Sequence, residues 1–447
     1  MLQNCYRRFV NQVSGKRQPS IIRELLKILQ SASADMIPLS GGLPNPKMFP
    51  FKSAQITLTD GKILNLSGQE WNNALQYLPT QGHLGLIQRL EQLQTRYHQI
   101  DPMAWNGQYE LVTTNGSQDG LCKSLEMIVN PGDSVILENH TYFACMSILN
   151  PIGANYVVIE GDHNGLRPDK LWSALTSNWR PGDPGVPKAI YLNPTGANPT
   201  GNVMPLERKR EIYQICSEYD ILILEDDPYY YMQFKSPREP SFLSLDRDCR
   251  VIRFDSFSKV LSSGLRLGFV TGPKPLVDQM VLHLQVSSLH ASALSQVLIN
   301  ELLHHWGLEG FEKHVNEVEN FYRNRRDLMH ESAKKHLTGL CEWDIPDGGM
   351  FLWIKVNGVA CTWNMIMDKG LKKNIMMVPG RVFMPVSSTG SQYLRASYSI
   401  APVERFDEAF RRLAELIREE KIDQIGIAQP FIQNEQNSSR VGQATTA

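Results

Sequence analysis

Short apolar runs alternate with amphipathic segments between residues 109 and 272. Val, Ile, Leu, Tyr and Phe dominate the runs, and the segments between them, such as 206–219, carry apolar side chains at helical spacing. This alternation predicts a mostly parallel sheet with helices on both faces. The predicted strands are Tyr109–Thr113, Ser134–Leu137, Tyr156–Ile159, Ala189–Leu192, Ile221–Leu224, Arg250–Phe254 and Leu267–Thr271.

The pattern changes after this region. Helical spacing dominates 275–337, strand-like runs follow at 350–356 and 393–399, and an amphipathic segment covers 402–419. We therefore expect a second, smaller α+β domain, built from both termini. The predicted boundaries are 1–55 and 326–422 for the smaller domain, 56–325 for the large domain, and 423–447 for a polar, disordered tail.

Polar residues cluster directly after four of the predicted strands. The clusters are Gly116-Ser117-Gln118, Asn193–Gly201, Glu225–Asp227 and Asp255–Lys259. In a parallel sheet the carboxyl ends of the strands meet at one edge, where ligand crevices lie. The four clusters therefore predict a single site.

Composition describes an ordinary globular protein. Of 447 residues 42% are hydrophobic and 20% are charged, with a formal net charge of −1. This charge excludes an overall basic field for nucleic acid or acidic lipid, and no apolar run has the roughly 18 residues of a membrane helix. The seven cysteines form no C-x-x-C pair, which argues against a zinc site or a disulfide framework.

The first 23 residues are basic and contain no acid. Arg7, Arg8, Lys16, Arg17 and Arg23 precede the first acidic residue of the chain. This pattern is typical of a mitochondrial presequence, and equally of a basic surface arm. The sequence therefore leaves the location open between the mitochondrial matrix and the cytoplasm.

The stretch DSFSKVLSSGLRLGFVTG at 255–272 carries the most specific chemistry. A lysine amine at the mouth of a sheet, partly desolvated and near the cation Arg266, has a lowered pKa and can attack carbonyls, which makes Lys259 a candidate nucleophile. Ser256, Ser258 and Arg266 are suited to bind a phosphate. An aldehyde-reactive lysine beside a phosphate site indicates pyridoxal 5′-phosphate.

Other residues of the clusters suit the same cofactor. Asp226 follows an apolar strand and can hold the proton of the pyridine nitrogen. Asn198 and Tyr229 are candidate donors to the ring oxygen, and Tyr142 can stack on the ring. Ser117 and Gln118 begin a predicted helix, whose N-terminal N–H groups favour an anion.

Together these motifs resemble the fold type I pyridoxal-phosphate aminotransferases, and more narrowly the kynurenine/α-aminoadipate aminotransferases of animals. The resemblance rests on DSFSK with Arg266, NPTGN and EDDPYYYMQF. It extends over nearly the whole chain through GGLPNPKMFPF, LQYLPTQGHLGL, GSQDGLCKSLEMIVNPGD, QVSSLH, GGMFLWIKV and YLRASYS. It implies ping-pong transamination by a homodimer with a shared active site.

The resemblance also implies roles for single residues. Lys259 corresponds to the lysine that binds the cofactor covalently, and Asp226 to the partner of the pyridine nitrogen. The phosphate ligands correspond to Ser117, Gln118, Ser256, Ser258 and Arg266, the ring contacts to Tyr142, Asn198 and Tyr229, and the residue from the neighbouring subunit to Tyr77. On the substrate side, Arg395 corresponds to the arginine that binds the α-carboxylate, and Arg23 and Gly42 match positions of the N-terminal segment. Apart from the resemblance, Leu43, Leu289 and Phe351 are candidate apolar walls of the substrate site.

Two positions depart from the family pattern. Asn193 and Asn198 both begin an Asn-Pro-Thr-Gly, and Asn198 is preferred because the Gly-Asn that follows it matches. Asn139-His140 replaces the usual acid-proline pair before Tyr142, so the shape of this loop is not predicted.

The expected donors are kynurenine, 2-aminoadipate and related aromatic or acidic amino acids, with a 2-oxo acid such as 2-oxoglutarate as acceptor. The sequence does not rank them. One alternative is a decarboxylase, C–S lyase or cyclase on the same scaffold, because the orientation of the substrate decides which bond breaks. A DNA-binding regulator is a second alternative, but the roughly 40 residues before Gly42 are too few for a winged helix.

Overall fold

The computed structural model describes residues 5–23, 25, 33, 35–37, 39, 42–101, 103, 107–385 and 390–441, with backbone alone for 424–441. Gly41, the first residue of the GGLPNPKMFPF motif, and residues 442–447 of the predicted tail lie outside these ranges. None of the helices in the described part of the chain combines the length and the apolar character that crossing a membrane requires.

Strands and helices alternate over most of the described residues. The strands are β1 (Ala54–Thr57), β2 (Ile63–Leu66), β3 (Tyr109–Thr114), β4 (Ser134–Glu138), β5 (Asn155–Ile159), β6 (Gly161–Asp162), β7 (Gly165–Leu166), β8 (Ala189–Leu192), β9 (Leu222–Asp226), β10 (Val251–Ser256), β11 (Gly268–Pro273), β12 (Cys341–Glu342), β13 (Phe351–Val356), β14 (Val378–Pro379) and β15 (Tyr393–Ser397). The helices are α1 (Gly68–Leu75), α2 (Leu84–His98), α3 (Ser117–Ile128), α4 (Phe143–Ile152), α5 (Pro168–Asn178), α6 (Leu206–Glu218), α7 (Lys274–Ser287), α8 (Ala293–Leu337) and α9 (Phe406–Val441).

A seven-stranded sheet in the order β3-β11-β10-β9-β8-β4-β5 organises the large domain. Strand β11 runs antiparallel to both of its neighbours, and the other pairings are parallel. All seven predicted strands are confirmed. They are recognisable because both faces of the sheet are covered, so that β8, for example, is buried at every position.

Helices cover the two faces of this sheet with separate apolar cores. Leu121 and Leu125 of α3 pack with Leu284 of α7 on one face. Leu171 of α5 and Ile212 of α6 pack on the other. The carboxyl ends of the parallel strands are thereby held at one edge of the sheet.

The smaller domain is a four-stranded antiparallel sheet, β12-β13-β15-β14, packed against α9 and the end of α8. Its core includes Leu352, Ile354, Leu394 and Phe410. Strands β13 and β15 pair with Trp353 opposite Arg395. From β15, Arg395 reaches Asn198 of the large domain.

The start of the chain packs on the large domain. Tyr6 and Phe9 are buried in the core that covers the sheet, and Asn11 Nδ2 donates to the carbonyl oxygens of Glu126 and Val129 at 2.7 and 2.9 Å. The expectation that this part of the segment joins the smaller domain is therefore corrected. The reason is that this basic stretch of sequence also contains two aromatic residues. Their rings pack in the same core as the apolar side chains of α3.

Helix α9 continues beyond the point where the sequence predicts a disordered tail. Its backbone is helical as far as Val441. The start of the predicted tail contains Gln424, Ile425, Ala428 and Gln429, which are compatible with a helix, together with Gly426 and Pro430, which have low helix propensity.

Candidate active site

A cavity of about 340 Å³ lies at the carboxyl ends of β8, β9 and β10, facing the smaller domain. Most of the predicted site residues line it together. They are Ser117, Gln118, Tyr142, Asn198, Asp226, Tyr229, Ser256, Ser258, Lys259, Phe351, Arg266 and Arg395. Each of the four polar clusters at the strand ends therefore contributes residues to this cavity.

Lys259 follows β10 in a tight turn and projects into the cavity. Burial lowers the pKa of its amine, and the positive charges of Arg266 and Arg395 lower it further. The Nζ atom lies 6.0 Å from the centre of the Tyr229 ring. A larger share of neutral, nucleophilic amine at neutral pH follows from this environment.

Arg266 lies against the turn that precedes α3, and together they form a small pocket lined by hydrogen-bond donors. Arg266 Nη1 donates to Ser258 Oγ at 3.2 Å, and Nη2 donates to the Asn115 carbonyl oxygen at 3.2 Å. A Cβ atom on Gly116, where φ is +81°, would lie 2.4 Å from Arg266 Nη2. Only glycine therefore lets the arginine lie against the first turn of α3, where free N–H groups favour an anion.

Asp226 ends β9 and is buried. Its Oδ2 accepts a hydrogen bond of 2.7 Å from Tyr191 OH, whereas Oδ1 has no partner among the described residues. Burial raises the pKa of Asp226 to about 7, and the Tyr191 bond opposes this rise. A buried carboxylate with one oxygen free of hydrogen bonds is suited to accept from a cationic N–H group of a ligand.

The two Asn-Pro-Thr-Gly asparagines have different contacts. Asn193 Nδ2 donates to the Asp226 carbonyl oxygen at 2.6 Å, and its Oδ1 accepts from the Asn198 N–H at 2.6 Å. Asn193 therefore ties the loop to the end of β9. The side chain of Asn198 points instead to Arg395 across the cavity. This difference favours Asn198 as the ligand contact.

Arg395, on β15, lies between two aromatic rings. Its Cζ atom is 4.2 Å from the centre of the Phe351 ring and 5.0 Å from that of Phe383, and its Nε has no partner among the described residues. Burial lowers the pKa of the guanidinium from its usual value. Arginine stays charged in proteins, so a cation with a free edge faces the cavity. Phe383 was not predicted from the sequence, because it lies in a short helical turn, Gly380–Phe383, without a motif.

His140 holds the loop that carries Tyr142. Its ring contacts Trp353 and Tyr393, at 5.2 and 4.9 Å between centres, and burial lowers its pKa to about 4. The next residue, Thr141, donates from its N–H to the Phe383 carbonyl oxygen at 2.9 Å. At this departure from the family pattern, a neutral imidazole thus docks the loop on the smaller domain.

The remaining predicted residues lie elsewhere. Arg23, Gly42, Leu43, Tyr77 and Leu289 line a second cavity of about 350 Å³ that does not include Lys259. Arg23 Nη1 donates to the Leu78 carbonyl oxygen at 3.2 Å, and its Cζ lies 5.7 Å from the centre of the Tyr77 ring. Within one chain, the predicted site residues therefore lie in two separate cavities.

Residues 50–413 match the family model of aminotransferases of class I and II. The chain belongs to this family. It is 47% identical, over 93% of its length and 99% of the relative's, to the kynurenine/alpha-aminoadipate aminotransferase, mitochondrial, of Bos taurus. It is an aminotransferase that uses pyridoxal 5′-phosphate, an amino acid and a 2-oxo acid.

Solved structures agree with this assignment. A kynurenine aminotransferase of Pyrococcus horikoshii in complex with PMP is 28% identical, with a TM-score of 0.72 over 94% of this chain and 99% of that one. An aminotransferase of Candida albicans, Aro8, is 24% identical with a TM-score of 0.83 over 94% and 98% of the two chains, which supports the fold. The predicted fold type I architecture is confirmed.

The residues present in the cavity fit pyridoxal 5′-phosphate. The unpartnered Oδ1 of Asp226 suits the pyridine N–H, and the pocket of Gly116, Ser258 and Arg266 suits the phosphate. Lys259 lines the same cavity and has a lowered pKa. Each chemical demand of the cofactor is thus met by a side chain with the matching charge or hydrogen-bonding group.

Proposed function

We propose that the cavity around Lys259 transfers the amino group of kynurenine, 2-aminoadipate and related aromatic or acidic amino acids to a 2-oxo acid such as 2-oxoglutarate. The observation that carries this proposal is the presence of Lys259, Asp226 and Arg395 in one cavity. The names of the relatives support the choice of donors.

Asp226, Arg266 and Lys259 would hold the cofactor. When bound, pyridoxal 5′-phosphate supplies an aldehyde and a protonated ring that accepts the electron pair left by bond breaking at the substrate α-carbon. Asp226 would keep the proton on the ring nitrogen. Arg266, Ser258, Ser256 and the first turn of α3 would bind the phosphate, and Lys259 Nζ would hold the aldehyde.

Lys259 would have a second role as a base. Its amine, when free, would take up the proton released from the substrate α-carbon and would give a proton back on the same side. The lowered pKa supports this role, because a base works best when its pKa is near the working pH. Tyr142, Asn198 and Tyr229 line the same cavity and would orient the ring.

Arg395 would bind the substrate α-carboxylate. Its free guanidinium edge can form the two parallel hydrogen bonds of an arginine–carboxylate pair. The rings of Phe351 and Phe383 limit the motion of the guanidinium, and exclude water from around it. Fixing the carboxylate selects the Cα–H bond for cleavage, which favours transamination over decarboxylation.

A homodimer would complete the site. The second cavity contains Tyr77, which is 50% exposed, and Leu289, which is 38% exposed. Neighbouring side chains are also exposed and apolar, including Ile21, Ile22, Leu43 and Val286. Such a patch is typical of a protein interface. We propose that Tyr77, Arg23, Gly42, Leu43 and Leu289 of one protomer complete the cavity around Lys259 of its partner.

A mitochondrial location fits the basic N-terminal segment and the names of the relatives. Tyr6 and Phe9 are 7% and 2% exposed, so the folded enzyme needs them. We therefore propose that the mature protein in the organelle keeps the residues from Tyr6 onward. Cell fractionation with N-terminal sequencing tests this, and an N-terminus beyond Phe9 contradicts it.

The test of the function is a two-substrate assay of the reconstituted protein. With kynurenine or 2-aminoadipate as donor and 2-oxoglutarate as acceptor, we expect one glutamate for each donor consumed and parallel double-reciprocal plots. Release of carbon dioxide, ammonia or a thiol without need of an oxo acid would instead establish a decarboxylase or lyase.

A further inference from the structure

Tyr191 is a buried tyrosine in the central strand β8, beside the cavity but absent from the predicted site. It is 1% exposed and lies between Ile190 and Leu192, which are also buried. Its hydroxyl donates to Asp226 Oδ2 at 2.7 Å. The other carboxylate oxygen, Oδ1, has no partner among the described residues. The hydroxyl therefore engages one oxygen and leaves the second for a ligand.

We propose that Tyr191 is a positioning residue, which keeps Asp226 ionised and fixes the orientation in which its Oδ1 meets the ring nitrogen of the cofactor. This inference rests on the proposed role of Asp226. It adds a residue that acts only through that carboxylate and does not touch the substrate.

Among the described residues, no group other than Tyr191 donates a hydrogen bond to the side chain of Asp226. The titratable and charged groups that act on it are Tyr142, Cys145, Asp227, Tyr229, Arg253 and Asp255. Arg253, the cation among these groups, donates to Asp227 at 3.0 Å and to Asp255 at 2.9 Å. Because Arg253 donates to these two carboxylates and not to Asp226, the direct hydrogen bond to Asp226 comes from Tyr191.

The hydrogen bond has an energetic consequence for cofactor binding. A donor to a carboxylate stabilises the ionised form, so that removing it raises the pKa of Asp226 in the apoprotein. A protonated Asp226 cannot pair with a protonated ring nitrogen. Loss of Tyr191 OH therefore weakens binding mainly at the lower pH values, where the apoprotein must first release this proton.

Tyr109 provides a matched control in the same sheet. Its hydroxyl donates to Asp246 Oδ2 at 2.9 Å, and its ring is also buried, with 6% exposure. Neither Tyr109 nor Asp246 lines the cavity around Lys259. Tyr109→Phe removes a tyrosine–aspartate bond of the same kind, without touching the proposed site.

The experiment measures the dissociation constant of pyridoxal 5′-phosphate for the apoproteins of wild type, Tyr191→Phe and Tyr109→Phe at pH 6.5, 7.5 and 8.5. We expect the dissociation constant of Tyr191→Phe to be close to that of wild type at pH 8.5. At pH 6.5 it should be about tenfold larger, the size expected for loss of a bond to a charged group. The ratio of the dissociation constant of Tyr109→Phe to that of wild type stays near 1 at each pH. Thermal unfolding of all three apoproteins verifies that they are folded.

A second pair of variants separates positioning from packing. In an Asp226→Asn background, Tyr191→Phe should cause no further pH-dependent loss of affinity, because the titrating partner is gone. A ratio that is independent of pH, or one that persists unchanged in the Asp226→Asn background, overturns the proposal. Failure of the wild-type protein to bind the cofactor would instead overturn the proposed function itself.

Discussion

Arg395 Nη1 donates a hydrogen bond of 2.6 Å to Asn198 Oδ1. The arginine lies on β15 of the smaller domain, and the asparagine lies in the loop after β8 of the large domain. The bond therefore connects the group proposed to bind the substrate carboxylate with a group proposed to contact the cofactor ring. A shift of one domain relative to the other changes both contacts together.

Replacement of Arg395 by lysine tests this relationship. Lysine keeps the charge but has no planar pair of donors, so we expect kcat/KM for 2-aminoadipate to fall by about 10- to 100-fold, with cofactor binding retained. Arg405→Lys, an exposed position, is the control. Steady-state kinetics with equal kcat/KM for Arg395→Lys and wild type would exclude the proposed contact.

The buried N-terminal anchor makes a prediction about stability. Phe9 is 2% exposed, and Phe9→Ala leaves a cavity in the main core, which costs about 3–5 kcal/mol. The exposed Val13, with 65% of its surface accessible, serves as the control, and Val13→Ala should change the stability by less than about 0.5 kcal/mol. Denaturant unfolding measures both. An unchanged midpoint for Phe9→Ala would show that the segment is dispensable for the fold.

Mixed dimers test the shared site. Lys259→Ala and Tyr77→Ala chains should each have little activity. After unfolding and refolding together, they should recover about a quarter of the wild-type activity, since half of the dimers then contain one intact site out of two. A mixture of Lys259→Ala with Arg395→Ala is the control. Those two residues line the same cavity of one chain, so no site is restored. Equal recovery in both mixtures would contradict the arrangement.

The lowered pKa of Lys259 predicts a pH effect on the stability of the apoprotein. The amine binds its proton less readily in the folded than in the unfolded chain, so unfolding takes up a proton at pH values between the two pKa values. Stability from this group therefore increases with pH across that window and is lowest below it. We expect Lys259→Met apoprotein to unfold at a higher temperature than wild type at pH 7, with a smaller difference at pH 10. The reverse order at pH 7 would mean that the amine is not desolvated.

The sequence was sufficient to predict the large sheet and most of the cavity. Runs such as Ala189–Leu192 are apolar throughout because both faces of the sheet are covered, and polar residues concentrate at the strand ends because the crevice is there. Lys259, Asp226 and Arg266 were therefore recognisable one by one. Asp226 and Lys259 come together because β9 and β10 are parallel, and Arg266 joins them because the antiparallel strand β11 begins at the same edge of the sheet.

Other features depend on contacts that no local pattern reveals. Tyr191 occupies an ordinary buried position in its strand, and its hydroxyl matters only because Asp226 lies on the neighbouring strand. The division of the predicted site between two cavities depends on where Arg23, Gly42 and Tyr77 lie in the folded chain, far from Lys259 in sequence. Tyr6 and Phe9 were obscured by the basic residues around them, whose pattern is also typical of a targeting signal.

The most direct measurement concerns the covalent link at Lys259. The purified protein, incubated with pyridoxal 5′-phosphate, should absorb visible light, and reduction with borohydride followed by digestion should add one phosphopyridoxyl mass to the peptide that contains Lys259. Lys259→Ala should take up no such mass on this peptide. A colourless wild-type protein, or a tag on a different lysine with position 259 unmodified, would contradict the account.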